Sequence, residues 1–170
     1  LELADIVGDH PATRDICRIT MQSLPWRDAD SLSSATRQML WEGLRDPETF
    51  CVAMDALVSV AWRPSCIGAR WLHEVLANQE LAKRDSFWCN YLHEGYEDGG
   101  PVRRLIEAGF QLDLADLDAD VAERWSTLLV WFTAAADRRV KDGSTRAATM
   151  LFRTHPQLLP GVLSRFLQVD

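Results

Sequence analysis

Strand signals are nearly missing from this sequence. No alternating run of Val, Ile, Thr or aromatic residues is long enough for a half-buried strand, and no Asn-Gly or Asp-Gly turn sits between two such runs. Asp98-Gly99-Gly100 and Asp142-Gly143 fall between helical patterns instead. Lysine is almost as scarce, with Lys83 and Lys141 standing against sixteen arginines. The net charge is -7 and the pI about 5.1. That balance argues against sequence-independent nucleic-acid binding, which depends on clustered Lys and Arg. No run approaches the ~18 apolar residues of a membrane-spanning helix, and no signal peptide opens the chain. No CxxC occurs either. Cys17, Cys51, Cys66 and Cys89 lie far apart, each in or beside an apolar helical stretch. They read as reduced core or near-core residues of a cytoplasmic protein. There is no GxxxxGK[ST], GxSxG, HExxH or GxGxxG, so the residues offer no nucleotide site, no catalytic motif and no reason to expect a cofactor.

What is present is helical. The chain has 170 residues, 47% of them hydrophobic, with seven tryptophans, enough for the core of one domain spanning 1–170. A first helix opens at Pro11, carries Ile16, Ile19, Thr20 and Leu24 at helical spacing, and stops at Pro25. A second is expected over 31–45. Asp46-Pro47 opens a third that reaches Trp62, and Arg63-Pro64-Ser65 breaks it. A fourth covers 67–78 and a fifth 84–93, with 95–100 as a loop. Pro101 opens a sixth that Gly109 closes as a C-cap. The stretch 111–120, with Asp113, Asp116, Asp118 and Asp120, reads as a solvated lead-in to a very apolar helix over 121–136, which Asp137 ends or bends. A last pair covers 144–153 and 156–169.

An internal echo accompanies this pattern. Thr36-Arg37 precedes Pro47 as Thr145-Arg146 precedes Pro156, and Phe50, Leu57 and Val60 pair with Leu159, Phe166 and Val169. A helix-turn-helix unit seen twice suggests an α-solenoid. The expected fold is therefore all-α: about 8–9 paired antiparallel helices in a right-handed superhelix of HEAT or TPR kind. The first residue, Leu1, is not Met, which suggests an excised piece of a longer chain.

Few constellations carry chemistry. Cys89 and His93 share a helix face, and with Cys66 and His73 they could supply four zinc ligands, but the seven-residue gap from Cys66 to His73 is loose for a structural site. No metal is assigned. The aspartates of 113–120 lack the central Gly and terminal Glu of a calcium loop. Arg84, Asp85 and Trp88 form the densest mixed cluster, either a partner-binding anchor or a packing helix with Trp88 and Leu92 turned inward. Asp142 and Arg146, four apart, are expected to pair on a helix face.

Two stretches carry a family resemblance. One is LAKRDSFWCNYLHE at 81–94, running on to PVRRLI at 101–106. The other is LVWFT at 129–133, then DRRVKD at 137–142 and TRA at 145–147. Their order resembles the helical region that follows the NTPase module in large bacterial STAND proteins of the antiviral AVAST type. The likeness covers about residues 80–170. Gly143 and Ser144 depart from it, standing where that family has further helix-forming residues. The resemblance implies a non-enzymatic segment of a superhelix that recognises a phage protein or links sensor to ATPase, with oligomerisation in the parent and other domains of the same chain as further partners. It implies no catalytic residue. Arg84, Asp85, Trp88, His93, Arg138, Asp142 and Arg146 are the candidate partner-binding or packing residues. The rival readings are an oligomerisation spacer and a small helical metal-dependent hydrolase using His73, Cys89 and His93.

Overall fold

The structure, a computed structural model, describes residues 12–169. Among them are nine α-helices, four short 3-10 turns and no strand. The helices are α1 (Ala12–Ser23), α2 (Ser34–Gly43), α3 (Phe50–Val60), α4 (Ala69–Ala77), α5 (Leu81–Glu97), α6 (Pro101–Gln111), α7 (Ala119–Phe132), α8 (Arg138–Thr154) and α9 (Leu159–Phe166). The expected start at Pro11 lies outside the described residues. The all-α expectation holds. The packing is that of a helical bundle or a solenoid segment: α1 lies on α3, α6 on α8, α4 on α7, and α7 on α8.

Local sequence explains most boundaries. Ser33 caps α2 in a reciprocal box, its hydroxyl accepting from the Thr36 N–H while the Thr36 hydroxyl accepts from the Ser33 N–H. The acidic stretch acts as anticipated. Asp113 caps the 3-10 turn Leu114–Asp116, and Asp118 accepts from the N–H groups of Asp120 and Val121 at the start of α7. Asp137 neither ends nor bends α7, which stops at Phe132. It caps α8 instead, accepting from the Arg139 N–H at 2.8 Å, so α8 begins six residues before the expected 144 and runs through Gly143 and Ser144.

Two glycines do work that differs from their expected roles. The fifth helix does not stop at 93 but continues through Gly95 to Glu97. It ends where Gly99, at φ +68°, turns the chain, with Gly100 N–H bonded to the Gly95 carbonyl and Gly99 N–H to that of Tyr96. Gly109 is not a C-cap. It lies inside α6, where a Cβ would come within 2.8 Å of the Ala147 Cβ on α8. Gly143 faces Ile106 in the same crossing, at 2.9 Å from a would-be Cβ. Gly109 on α6 and Gly143 and Ala147 on α8 let the two helices cross closely.

One continuous core runs from Met21 and Leu24 through Leu40, Leu57, Leu72 and Leu92 to Phe132 and Leu151. Its aromatic centre is Trp131. The indole N–H donates to His73 Nδ1 at 3.2 Å, and the Trp131 carbonyl accepts from the Trp88 indole at 3.1 Å. Phe166 of α9 stands edge-on at 5.1 Å, and the buried Arg84 guanidinium covers the ring at 5.5 Å. Burial of the sequence echo differs between its two copies. Leu57 and Val60 are fully buried, whereas α9 buries only Val162 and leaves Leu159, Leu163 and Leu167 exposed.

The cysteines correct an expectation. All four are free, but Cys51 and Cys66 are exposed rather than in the core, because α3 turns Cys51 outward and Cys66 sits in the loop before α4, its thiol on the Leu32 carbonyl at 3.1 Å.

Candidate functional site

The seven residues singled out in the sequence do not form one site. Arg84 and Trp88 point inward. Trp88 stacks on Tyr91 at 5.7 Å and meets Phe132 at 6.1 Å, and Arg84 pairs with Asp85 at 3.5 Å beneath its contact with Trp131. Arg84 and Trp88 of this cluster are buried, while Asp85 is exposed. On α8, Asp142 pairs with Arg138 at 3.2 Å and not with Arg146, whose guanidinium lies over the Phe110 ring at 5.5 Å. The exposed Arg138–Asp142 pair is worth about 0.3–0.5 kcal/mol. The ring wins Arg146 because α6 crosses α8 closely enough to bring Phe110 beside it.

The four residues of the zinc reading are also apart. Cys66 bonds Leu32, His73 is buried against Trp131, Cys89 reaches the Ala134 carbonyl, and His93 joins Asp137 at 2.8 Å. Among the described residues one other trio could share a cation: His93 and Glu97 of α5 with Asp137. A cation already fills it. Arg139 donates to both Glu97 and Asp137. The Arg139 hydrogen bonds to Asp137, then the one from His93, hold the Asp137 carboxyl well below the usual carboxylate range. The cluster fastens α5 to the start of α8.

Two consequences can be measured. Asp137→Ala removes a helix cap and the partner of Arg139 together, and should lower unfolding stability by about 1–2 kcal/mol in urea titration. Because the Asp137 pKa is depressed in the folded state, its contribution is full above the unfolded value of 3.8 and drains away as pH falls below it. His73 gives the second. Burial, then the Arg165 guanidinium, lowers its pKa below 6.5. Its Nδ1 accepts from Trp131, which requires the neutral ring. Unfolded chain therefore takes up more protons, stability is full above pH 6.5, and it declines as pH drops through that value. Melting temperature across pH 5–8 should show this slope, and His73→Gln should flatten it.

One concavity among the described residues was not visible in the sequence. A groove of about 630 Å³ opens between α2, α3, α4 and α5 over Trp41, Leu44, Phe50, Val75 and Phe87, with Arg45 and Lys83 at its edges. A shallower one of about 390 Å³ continues it past Arg37 and Trp71, sharing Trp41, Val75 and Gln79. Two of the rim cations are held over indoles: Arg37 over Trp71 at 5.1 Å and Arg45 over Trp41 at 5.7 Å. On α4, Leu72 is buried in the core, while Val75 and the fully buried Leu76 line the groove. A separate pocket of about 330 Å³ lies under the exposed Trp26, with Trp62, Trp125 and Leu117 in its walls.

Among the described residues the protein is all-helical, its His93, Glu97, Asp137 and Arg139 side chains are tied to one another, and its groove of about 630 Å³ is lined largely by aromatic and aliphatic side chains. Comparison with protein-family models, with curated protein sequences and with solved structures gives no match. Among the described residues no helix is long and apolar enough to cross a membrane.

Proposed function

We propose that this chain is a non-enzymatic, helical-repeat protein-recognition segment that holds part of another polypeptide against its grooved face. The observation behind this reading is the groove over Trp41, Val75 and Phe87. It is wide, open, lined by large apolar side chains and edged by arginine, which is the make-up of a contact surface with aromatic and Arg anchors. Of the charged residues elsewhere, His93, Glu97, Asp137 and Arg139 are engaged with one another. The resemblance of residues 80–170 to the helical region of STAND-type antiviral proteins supports the same reading and gives it a setting. The chain would be one segment of a right-handed superhelix in a bacterial, cytoplasmic defence protein, and the partner a phage protein or another domain of the parent.

Panning a random-peptide display library on the purified chain tests the reading. Enriched binders that lose the wild-type chain on Trp41→Ala or Val75→Glu substitution are the expected outcome. Binders indifferent to both changes, or no enrichment, would count against it.

A second reading rests on α9. Leu159 and Leu163 on α9 and Leu167 just past its end, four apart, form an exposed apolar stripe. Such a face suits a structural layer on which a further helix pair or a second copy stacks. Light scattering of the wild type and of Leu163→Glu would separate the two readings, since only the stacking role predicts concentration-dependent association that the substitution removes.

A further inference from the structure

We propose that the groove between α2, α4 and α5 takes a short acidic amphipathic helix, its apolar side resting on Trp41, Val75 and Phe87 and its carboxylates on Arg37, Arg45 and Lys83. The proposal rests on the protein-recognition reading and adds the chemistry of the partner.

The charge distribution carries it. The chain has 18 basic and 25 acidic residues, so its overall field is negative. The lining of the two joined grooves reverses that sign, with Arg37, Arg45 and Lys83 against Glu74 alone. One of only two lysines in the chain is placed there. Among the described residues no carboxylate lies within ion-pair distance of Arg45 or Lys83. Glu74 approaches Arg37 only to 3.8 Å, with both side chains largely exposed, a pair that an incoming carboxylate can displace at little cost. Lys83 also stands in the first turn of α5, where the helix dipole adds to its field.

The cations are arranged for directional contact. The guanidinium groups of Arg37 and Arg45 lie over Trp71 and Trp41, and both side chains are exposed, so their N–H donors are open to a carboxylate. Between them lies apolar surface. A ligand must therefore present carboxylates along one or both margins and apolar groups along a central stripe, as an amphipathic helix does with anchors at i, i+3 or i+4, and i+7. An added β-strand has no sheet edge to join among the described residues. A long polyanion would meet the repulsion of the remaining surface, while a short segment carries fewer charges beyond the ~8–10 Å Debye range of the three cations.

The test is fluorescence anisotropy with a labelled 18-residue peptide of Leu and Phe at helical spacing and Glu elsewhere. Three competitors accompany it: the same peptide with Lys for Glu, a scrambled acidic peptide, and an oligothymidine of 20 nucleotides. We expect the acidic amphipathic peptide to bind, and its scrambled form to bind at least 10-fold more weakly. The exposed double substitution Arg45→Glu/Lys83→Glu should cut affinity at least 10-fold with an unchanged melting temperature, and should let the Lys peptide bind instead. Equal binding to wild type and double variant would overturn the proposal, as would stronger binding of the Lys peptide or the oligothymidine. Self-association of the wild type that the double variant abolishes would assign the groove to a second copy and overturn it too. If display panning has already yielded groove binders of basic or neutral sequence, the recognition reading stands and only the acidic partner is lost.

Discussion

Trp131→Ala is expected to cost about 3–5 kcal/mol of unfolding stability, the range for deleting a buried Trp. Several losses converge at this residue. The cavity would open between α4, α5, α7 and α9, whose side chains His73, Trp88 and Phe166 all meet the indole. His73 would lose the N–H donor that satisfies its Nδ1, and Arg84 would lose the ring beneath its buried guanidinium. An unsatisfied buried polar group adds about 1–3 kcal/mol where water cannot enter. Trp131→Phe separates the parts. It keeps most of the volume but not the N–H, so it should cost less than the alanine while still releasing His73 and weakening the pH dependence of stability between pH 5 and 7. Urea titrations at pH 7.5 and 5.5 on both variants measure this. An alanine variant within about 1 kcal/mol of wild type would mean that the four helices do not meet at this ring.

Gly109→Val is expected to be the next most damaging single change, lowering stability by about 2–3 kcal/mol. Two effects oppose each other. Replacing a mid-helix glycine gains up to about 1 kcal/mol of helix propensity for Ala, and less for Val. The first added carbon, however, comes within 2.8 Å of the Ala147 Cβ, which belongs to a rigid helix and cannot swing away. Alanine should therefore come out near neutral or mildly destabilising, and valine, with two further methyls, clearly destabilising. Gly161→Ala on α9 is the control. A Cβ there meets nothing within 4 Å, so the substitution should be neutral or gain a few tenths of a kcal/mol. Denaturant midpoints of the three variants decide whether α6 and α8 are as close as described.

These glycines show where sequence reading reaches its limit. That the chain is helical was plain from apolar spacing, and prolines and aspartates marked many helix ends, because those effects act within four residues. Asp113 and Asp118 were legible as helix lead-ins for that reason. A glycine is ambiguous in one dimension. It serves either a left-handed turn or a close approach, and only the partner element distinguishes the two. Gly99 is the first kind and Gly109 the second. The candidate residues divide in the same way. Trp88 and Leu92 turning inward could be inferred from their own helix. Arg84 over Trp131, Arg146 over Phe110 and Arg139 bridging Glu97 to Asp137 could not, since each joins segments 36–47 residues apart. The groove was hidden for a related reason. On α4 the run Trp71, Leu72, Val75 and Leu76 is apolar over a wide arc, and nothing in it separates the side against the core from the side left open.

The scarcity of lysine gives the groove a built-in reporter. Seven arginines lie over aromatic rings, and amine-directed reagents do not modify them. Such a reagent meets only two side-chain amines, both exposed: Lys83 at the groove and Lys141 on the far side of the sequence, in α8. Mass spectrometry of the acylated chain can then compare one peptide with the other. Lys141 serves as an internal reference for reagent strength, and the yield at Lys83 follows occupancy of the groove in whatever mixture the protein is placed.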